Sequence, residues 1–289
     1  MAAINAGSRP GAPEQIKIAG MAADLYGTAD GRPPLVLLPG LTFDRGVWEP
    51  VLGNLARRDP GRRILSLDLP GHGESPDQLP HSMDHVLSLI HEAVTEAGLD
   101  APVVVGHSMS GGYGSMYAAR FPTRGVINVD ALPDLVPFVR LLQSVKGQIL
   151  GDGFAGVWAM MEQGFRLDLL PSSAQAVVAR TSSPRQDLVV SYWDELLSHT
   201  PGELAAQISS GMEAIAGAGV PYLLVLGSEP PPEVAEWLRD VVPQIDIEVW
   251  PDTGHFPHLA YPGRFAEQLA ATAGWPRDTG ERRMAPRDR

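Results

Sequence analysis

No cysteine occurs among the 289 residues, which excludes disulfides, thiolate metal sites and a cysteine nucleophile; a nucleophile must come from another side chain. Long hydrophobic runs are missing too, since no apolar stretch approaches the roughly 18 residues that would span a bilayer. The opening "MAAINAGSRPGAPEQ" lacks a charged region followed by an apolar one, so the expectation is a cytosolic protein with no membrane association. Positive charge is scarce. With 22 Lys and Arg against 34 Asp and Glu, the net charge of −12 argues against a nucleic-acid partner, whose phosphates want a basic face. A small neutral or cationic molecule suits such a chain better.

Glycine (31) and proline (27) are plentiful and imply many turns between short elements. The first fifteen residues and residues 277–289 are polar and without apolar period, and they read as flexible tails. Between them recur short apolar runs: "PLVLL" (34–38), "RILSLD" (63–68), "PVVVG" (102–106), "GVINVD" (125–130), "YLLVLG" (222–227) and "IDIEVW" (245–250). Runs of this length, rather than alternation, suggest strands covered on both faces. The intervening segments read as helices. In "MDHVLSLIHEAVTEAGL", Val86, Ile90 and Val94 recur four apart and Gly98 is a stop.

The expected fold class is therefore α/β, a mostly parallel central sheet with helices on both faces, its core formed by residues 16–132 and 220–276. From 133 to 219 no strand pattern appears, and "FAGVWAMMEQGFRLDLLP" and "QDLVVSYWDELLSHT" read as helical. Inserted there, these helices form a cap over the carboxyl ends of the strands, where open α/β sheets bind ligands. Phe154, Trp158, Met160, Met161, Phe165, Tyr192 and Trp193 are its candidates for an apolar pocket, although such residues at helical spacing are more often ordinary core.

The stretch "VVVGHSMSGG" (103–112) runs a strand straight into a Gly/Ser-rich turn, and "GGYGSMYAARFP" continues it as a short helix. In that context G-x-S-x-G marks a nucleophile elbow, with Ser108 as the nucleophile. The sharp turn tolerates only small residues two before and two after, here Gly106 and Ser110, the latter where glycine is usual. A Gly/Ser loop that merely caps a helix is the competing explanation.

Three further blocks, "LVLLPGLTFDRGVWEPV", "LDLPGHGES" and "PDTGHFPHLAYPGRFAEQL", fall in order around the elbow, and over residues 22–273 the chain resembles the α/β-hydrolase superfamily. The resemblance implies that His255 is the base activating Ser108, and that the backbone amides of Leu41 and Met109 form the oxyanion hole. It gives His72 and His107 structural roles, and His258, three residues after the base, reads as a residue that packs or bonds locally. His81, His85 and His91 lie on or near one helix but lack the further ligands a metal site needs.

The acid departs from the common pattern. Most members carry an Asp three residues beyond the glycine of "YLLVLG", where this chain has Pro230; the near candidate is Glu229. Zearalenone lactonases, one subgroup of haloalkane dehalogenases and cofactor-free ring-opening dioxygenases carry the acid at the end of the strand after the nucleophile helix, here Asp130. Asp130 is the preferred acid, Glu229 stays open, and Asp134 is a weaker third choice that suits the cap of the first inserted helix.

The function implied is a serine hydrolase, of the carboxylesterase or lactonase type, acting on a small, largely apolar substrate through an acyl-enzyme, without metal or organic cofactor. The resemblance to the lactonase and dioxygenase branches favours a cyclic or aromatic substrate. A dehalogenase is disfavoured because its nucleophile is Asp. The alternatives on the same fold are a cofactor-free oxygenase or lyase using the His/Asp pair as base, and a non-catalytic ligand receptor. A homodimer is compatible with the fold, though no exposed apolar helix face identifies the contact.

Overall fold

The apolar runs pair side by side in one eight-stranded sheet in the computed structural model, which describes residues 12–276. The strands are β1 (Glu14–Ile18), β2 (Met21–Tyr26), β3 (Leu35–Leu38), β4 (Ile64–Leu67), β5 (Val103–His107), β6 (Gly125–Val129), β7 (Tyr222–Leu226) and β8 (Ile245–Val249). Their order is β1-β2-β4-β3-β5-β6-β7-β8, and β3 to β8 pair in parallel. All residues of β3, β4, β5, β6 and β7 are buried, as expected of strands with helices on both faces. The sheet is thus mostly parallel with helices on both faces, the α/β class expected from the sequence.

Helices α1 (Glu49–Arg58), α2 (Met83–Glu96) and α3 (Met109–Arg120) make the crossovers between β3 and β6. For α2 the stop signals act as read: Ser82 caps its start by accepting from His85 N–H, and Gly98 takes φ +64 just beyond its end. Between β6 and β7 the chain makes only helices: α4 (Val136–Ser144), α5 (Lys146–Ile149), α6 (Phe154–Gly164), α7 (Ser172–Thr181), α8 (Gln186–Tyr192), α9 (Asp194–Ser198) and α10 (Pro201–Ala218). The rest of the sheet is covered by α11 (Pro232–Val241), α12 (Pro257–Ala260) and α13 (Pro262–Ala271), the last packed on α1. Among the described residues no helix is long and apolar enough to cross a membrane.

One feature differs from the sequence expectation. Glu14 and Gln15, assigned to a tail, begin β1, which forms an antiparallel hairpin with β2. Its turn, Ala19-Gly20, has φ of 47° and 76°, the geometry that matches strand twist in a two-residue hairpin. The hairpin escapes an apolar-run criterion because β1 is an edge strand with Glu14, Gln15 and Lys17 largely in solvent, and the buried end of β2 is Met21-Ala22-Ala23. Ala12 and Pro13, also assigned to that tail, precede β1 without regular structure, and the other tail positions, 1–11 and 277–289, lie outside the described residues.

The strand order sets where a ligand fits. The chain steps from β3 outward to β4, then crosses back over β3 to β5, so the connections diverge between β3 and β5. Helices on either side leave a crevice at such a point, outside the carboxyl ends of the strands. The exits of β3, β5 and β6 carry Leu41, Ser108 and Asp130.

Candidate active site

At the end of β5, Ser108 takes φ 55° and ψ −128°, a conformation that a residue with a side chain keeps only where its surroundings impose it. They do so here from both sides. Ser108 N–H donates to Val129 O at 2.8 Å, and Gly111 N–H returns to Ser108 O at 2.7 Å. A Cβ on Gly106 would lie 1.9 Å from Ser110 O, so the elbow closes only over glycine at that position. Ser110 is fully buried and its hydroxyl donates to Pro39 O. The serine that replaces the usual glycine therefore ties the nucleophile helix to the exit of β3.

That exit continues into Leu41. The amides of Leu41 and of Met109, the first residue of α3, donate to no acceptor among the described residues, leaving two N–H groups on neighbouring strand exits. The loop is held from below and above. Arg45 N–H donates to Asp68 Oδ1 at 2.7 Å and its guanidinium pairs with Asp68, while Thr42 O accepts from Ser183 N–H at 2.8 Å and Asp44 N–H donates to Thr181 O at 3.1 Å. The helical segment between β6 and β7 is thus stitched to the residues that follow Leu41.

His255 lies in the turn after β8, and its Nδ1 is 2.6 Å from Asp130 Oδ2. Asp130 itself, at φ 55°, donates its N–H to Val225 O, and its Oδ1 accepts Gly227 N–H at 2.7 Å. Burial works to raise the Asp130 pKa, but the bond from His255, the charge there and the Gly227 N–H outweigh it, so the carboxyl lies below its ordinary value. Glu229 is exposed and makes no hydrogen bond to His255 among the described residues. Asp134 accepts from Val136 N–H at 3.1 Å in the turn that leads into α4, whose N-cap position is Leu135 rather than Asp134. Ser108 Oγ and His255 form no direct hydrogen bond; catalytic contacts in unliganded sites are often long.

Of the other histidines, His107 and His258 lie beside this pair. His107 is buried and its Nε2 is 2.8 Å from His255 O; a carbonyl only accepts, so Nε2 carries the proton, and burial holds the ring pKa well below its ordinary value. His258 is buried against Trp48 and His107, and burial holds it down to about 3. His72 bonds Pro70 O through Nδ1 and is held to about 4. His81 stacks on Tyr192 and His91 on Phe121. No group of three His, Cys, Asp or Glu suited to a metal ion occurs among the described residues.

Of the seven aromatic and methionine candidates, Trp158, Tyr192 and Trp193 are buried in the apolar cluster that contains Leu41, with Phe154, Met161 and Met109 packed against it. Met160 is 42% exposed and lies outside that cluster. Phe165 belongs to a second cluster with Phe43 and Phe256, and its ring stacks on His255, centroids 5.0 Å apart. A sequence reading did not distinguish it from its six neighbours, and it did not find Gly227, whose role is played by a backbone N–H. A cavity of about 610 Å³ opens beside the Leu41 loop rather than over Ser108; Thr42, Arg45, Asp68, His72 and Arg180 are among its walls.

A model of the alpha/beta hydrolase family matches residues 35–268. The pimeloyl-[acyl-carrier protein] methyl ester esterase of Yersinia pseudotuberculosis serotype O:1b (strain IP 31758) is 28% identical over 256 residues, covering 84% of this chain and 94% of that protein. Among solved structures, the enol-lactonase of Burkholderia xenovorans LB400 superposes with a TM-score of 0.61 at 17% identity, over 90% of this chain and 99% of that one. A variant of AqdC, in complex with its substrate and described by ring-cleavage of the Pseudomonas quinolone signal, superposes with a TM-score of 0.72 at 16% identity, over 90% and 98%. At these identities the two structures bear on the fold alone.

Proposed function

The chain belongs to the alpha/beta hydrolase family, and from that premise we propose that it hydrolyses ester bonds through a serine acyl-enzyme, its substrate a small, largely apolar carboxylic ester or lactone. The observation that carries the reading is the 2.6 Å contact of His255 Nδ1 with Asp130, at the exit of the strand beside the strained Ser108. The esterase relative supports the bond type. The apolar side chains packed around Leu41 and Met109 support the substrate class, with the helices between β6 and β7 acting as the cap.

In this mechanism Asp130 accepts from Nδ1–H and thereby presents the bare Nε2 of His255 to the nucleophile. Nε2 takes the Ser108 proton as Oγ attacks the carbonyl carbon, and the carbonyl oxygen becomes an oxyanion met by the Leu41 and Met109 amides. Donors already fixed by the backbone need no reorganisation as that charge develops, and the start of α3 adds its dipole. The His255 proton then passes to the leaving alkoxide, which departs and leaves the acyl group on Oγ. A water molecule attacks the acyl carbon and gives its proton to His255, and that proton returns to Oγ as the acid is released.

The same His255–Asp130 contact admits a second reading. There the His255–Asp130 pair acts as a general base on a substrate that Ser108 only hydrogen-bonds. Treatment with a fluorophosphonate followed by intact-mass analysis and peptide mapping separates the two. The acyl-enzyme reading expects one adduct, on Ser108 and not Ser110, abolished by His255→Ala. An unlabelled, folded protein sinks that reading and favours base catalysis.

A further inference from the structure

The base is gripped by a residue that no catalytic motif contains. Phe165 follows α6 and contacts His255 in two independent ways: its carbonyl oxygen accepts His255 N–H at 3.0 Å, and its ring lies 13° from parallel to the imidazole with centroids 5.0 Å apart. The turn carrying His255 is shaped to admit it. Gly254 takes φ +52, and a Cβ there would stand 2.4 Å from Phe165 O, so a side chain at 254 would drive the two segments apart. Phe165 is itself braced edge-on by Phe256 and by Trp158, with centroids 5.8 and 6.4 Å away.

We infer that Phe165 is a positioning residue for His255, fixing the plane of its imidazole and favouring the cation it becomes during acyl transfer; the second half of this inference rests on the acyl-enzyme reading above. An imidazole held only at Nδ1 by Asp130 can still swing about that bond. The remaining freedom is removed by His107 on the His255 carbonyl, Phe165 O on the His255 N–H and the Phe165 ring against one face of the imidazole. When Nε2 takes the Ser108 proton the ring gains a positive charge, and the face of the Phe165 ring stacked against it stabilises that charge in the transition state. Phe165 belongs to the helical segment and not to the sheet, so that segment takes part in placing the base.

The test compares the full-length protein with Phe165→Leu and Phe165→Tyr; Phe165→Met serves as a second aliphatic variant in case Leu impairs folding, which thermal melting reports. With p-nitrophenyl butyrate as probe, the aliphatic variant should lower kcat by about 5–30-fold with KM changed by less than about twofold, and Tyr should restore most of the rate. The downfield proton resonance of His255 Nδ1–H should broaden or move in the aliphatic variant and persist with Tyr. An unchanged resonance in the aliphatic variant overturns the positioning role. A raised KM at constant kcat overturns it too, because it would make Phe165 a pocket wall. If the wild-type protein neither hydrolyses the probe nor takes the fluorophosphonate label while the resonance still depends on the Phe165 ring, the serine-hydrolase reading fails and the positioning role stands.

Discussion

Asp130 is the residue whose surroundings are most specific, because each carboxylate oxygen has its own donor: His255 Nδ1–H on Oδ2 and Gly227 N–H on Oδ1. Replacing Asp130 by Asn puts an amide where the acceptor stood, and the amide NH2 favours the wrong imidazole tautomer. Asp130→Asn should therefore lower kcat/KM for a chromogenic ester by about three to four powers of ten, as removal of a triad acid does. Glu229→Gln, at an exposed position with no bond to the base, should stay within about twofold. Steady-state kinetics on the two variants decide between the carboxylates; a crippled Glu229→Gln beside an active Asp130→Asn would overturn the assignment.

At the scale of the element, the turn after β6 is what aims Asp130, and Asn128 holds that turn. Its Oδ1 accepts Ala131 N–H at 3.2 Å, and its Nδ2 donates both to Ala131 O and to the Tyr222 hydroxyl, which also meets Ser115 on α3. Asn128 is buried, so truncation leaves these partners without replacements from solvent. Asn128→Ala should cost about 2–4 kcal/mol of unfolding free energy and slow turnover by about tenfold without abolishing it. Denaturant titration and kcat measure the two effects; full stability with wild-type turnover would show that the turn aims Asp130 without its side-chain latch. Strand pairing supplies the rest of the aim, since Asp130 N–H donates to Val225 O across the β6–β7 pair.

Among the described residues the molecule as a whole buries four histidines, His72, His81, His107 and His258, and this makes its stability depend on pH. Burial depresses the pKa of His72 from 6.5 to about 4 and of His258 from 6.5 to about 3, lowers that of His107 well below its ordinary value and lowers that of His81 as well. In the unfolded chain all four titrate near 6.5. Between about pH 6.5 and 4 the unfolded state thus binds more protons than the folded state, so stability is fully present above 6.5 and is lost as pH falls. Each group contributes a slope of up to about 1.4 kcal/mol per pH unit. His258→Phe, whose ring fits beside Trp48 and Phe265, should reduce the slope by one proton's worth. An unaltered slope in denaturant titrations from pH 7 to 4 would show that His258 takes up its proton in the folded protein.

The amino-acid sequence by itself determined the strands from β3 to β8 and the elbow at Ser108. Both are local: β3 to β7, buried on both faces, are written as short apolar runs, the edge strand β8 alternates Ile and Val with Asp246 and Glu248, and a tight turn from strand to helix must carry small residues at fixed offsets. It did not reveal the β1–β2 hairpin, whose edge strand needs no apolar run, and it left Asp130 and Glu229 both open as partners of His255. That choice depends on which strand exits meet, and Asp130 and His255 stand 125 positions apart. Phe165 was one of seven similar side chains in the sequence, and only the seating of the helical segment against the turn at Gly254 brought its ring onto the imidazole. Pattern along the chain encodes burial and backbone geometry, whereas the meeting of side chains from distant segments is decided by how the layers pack.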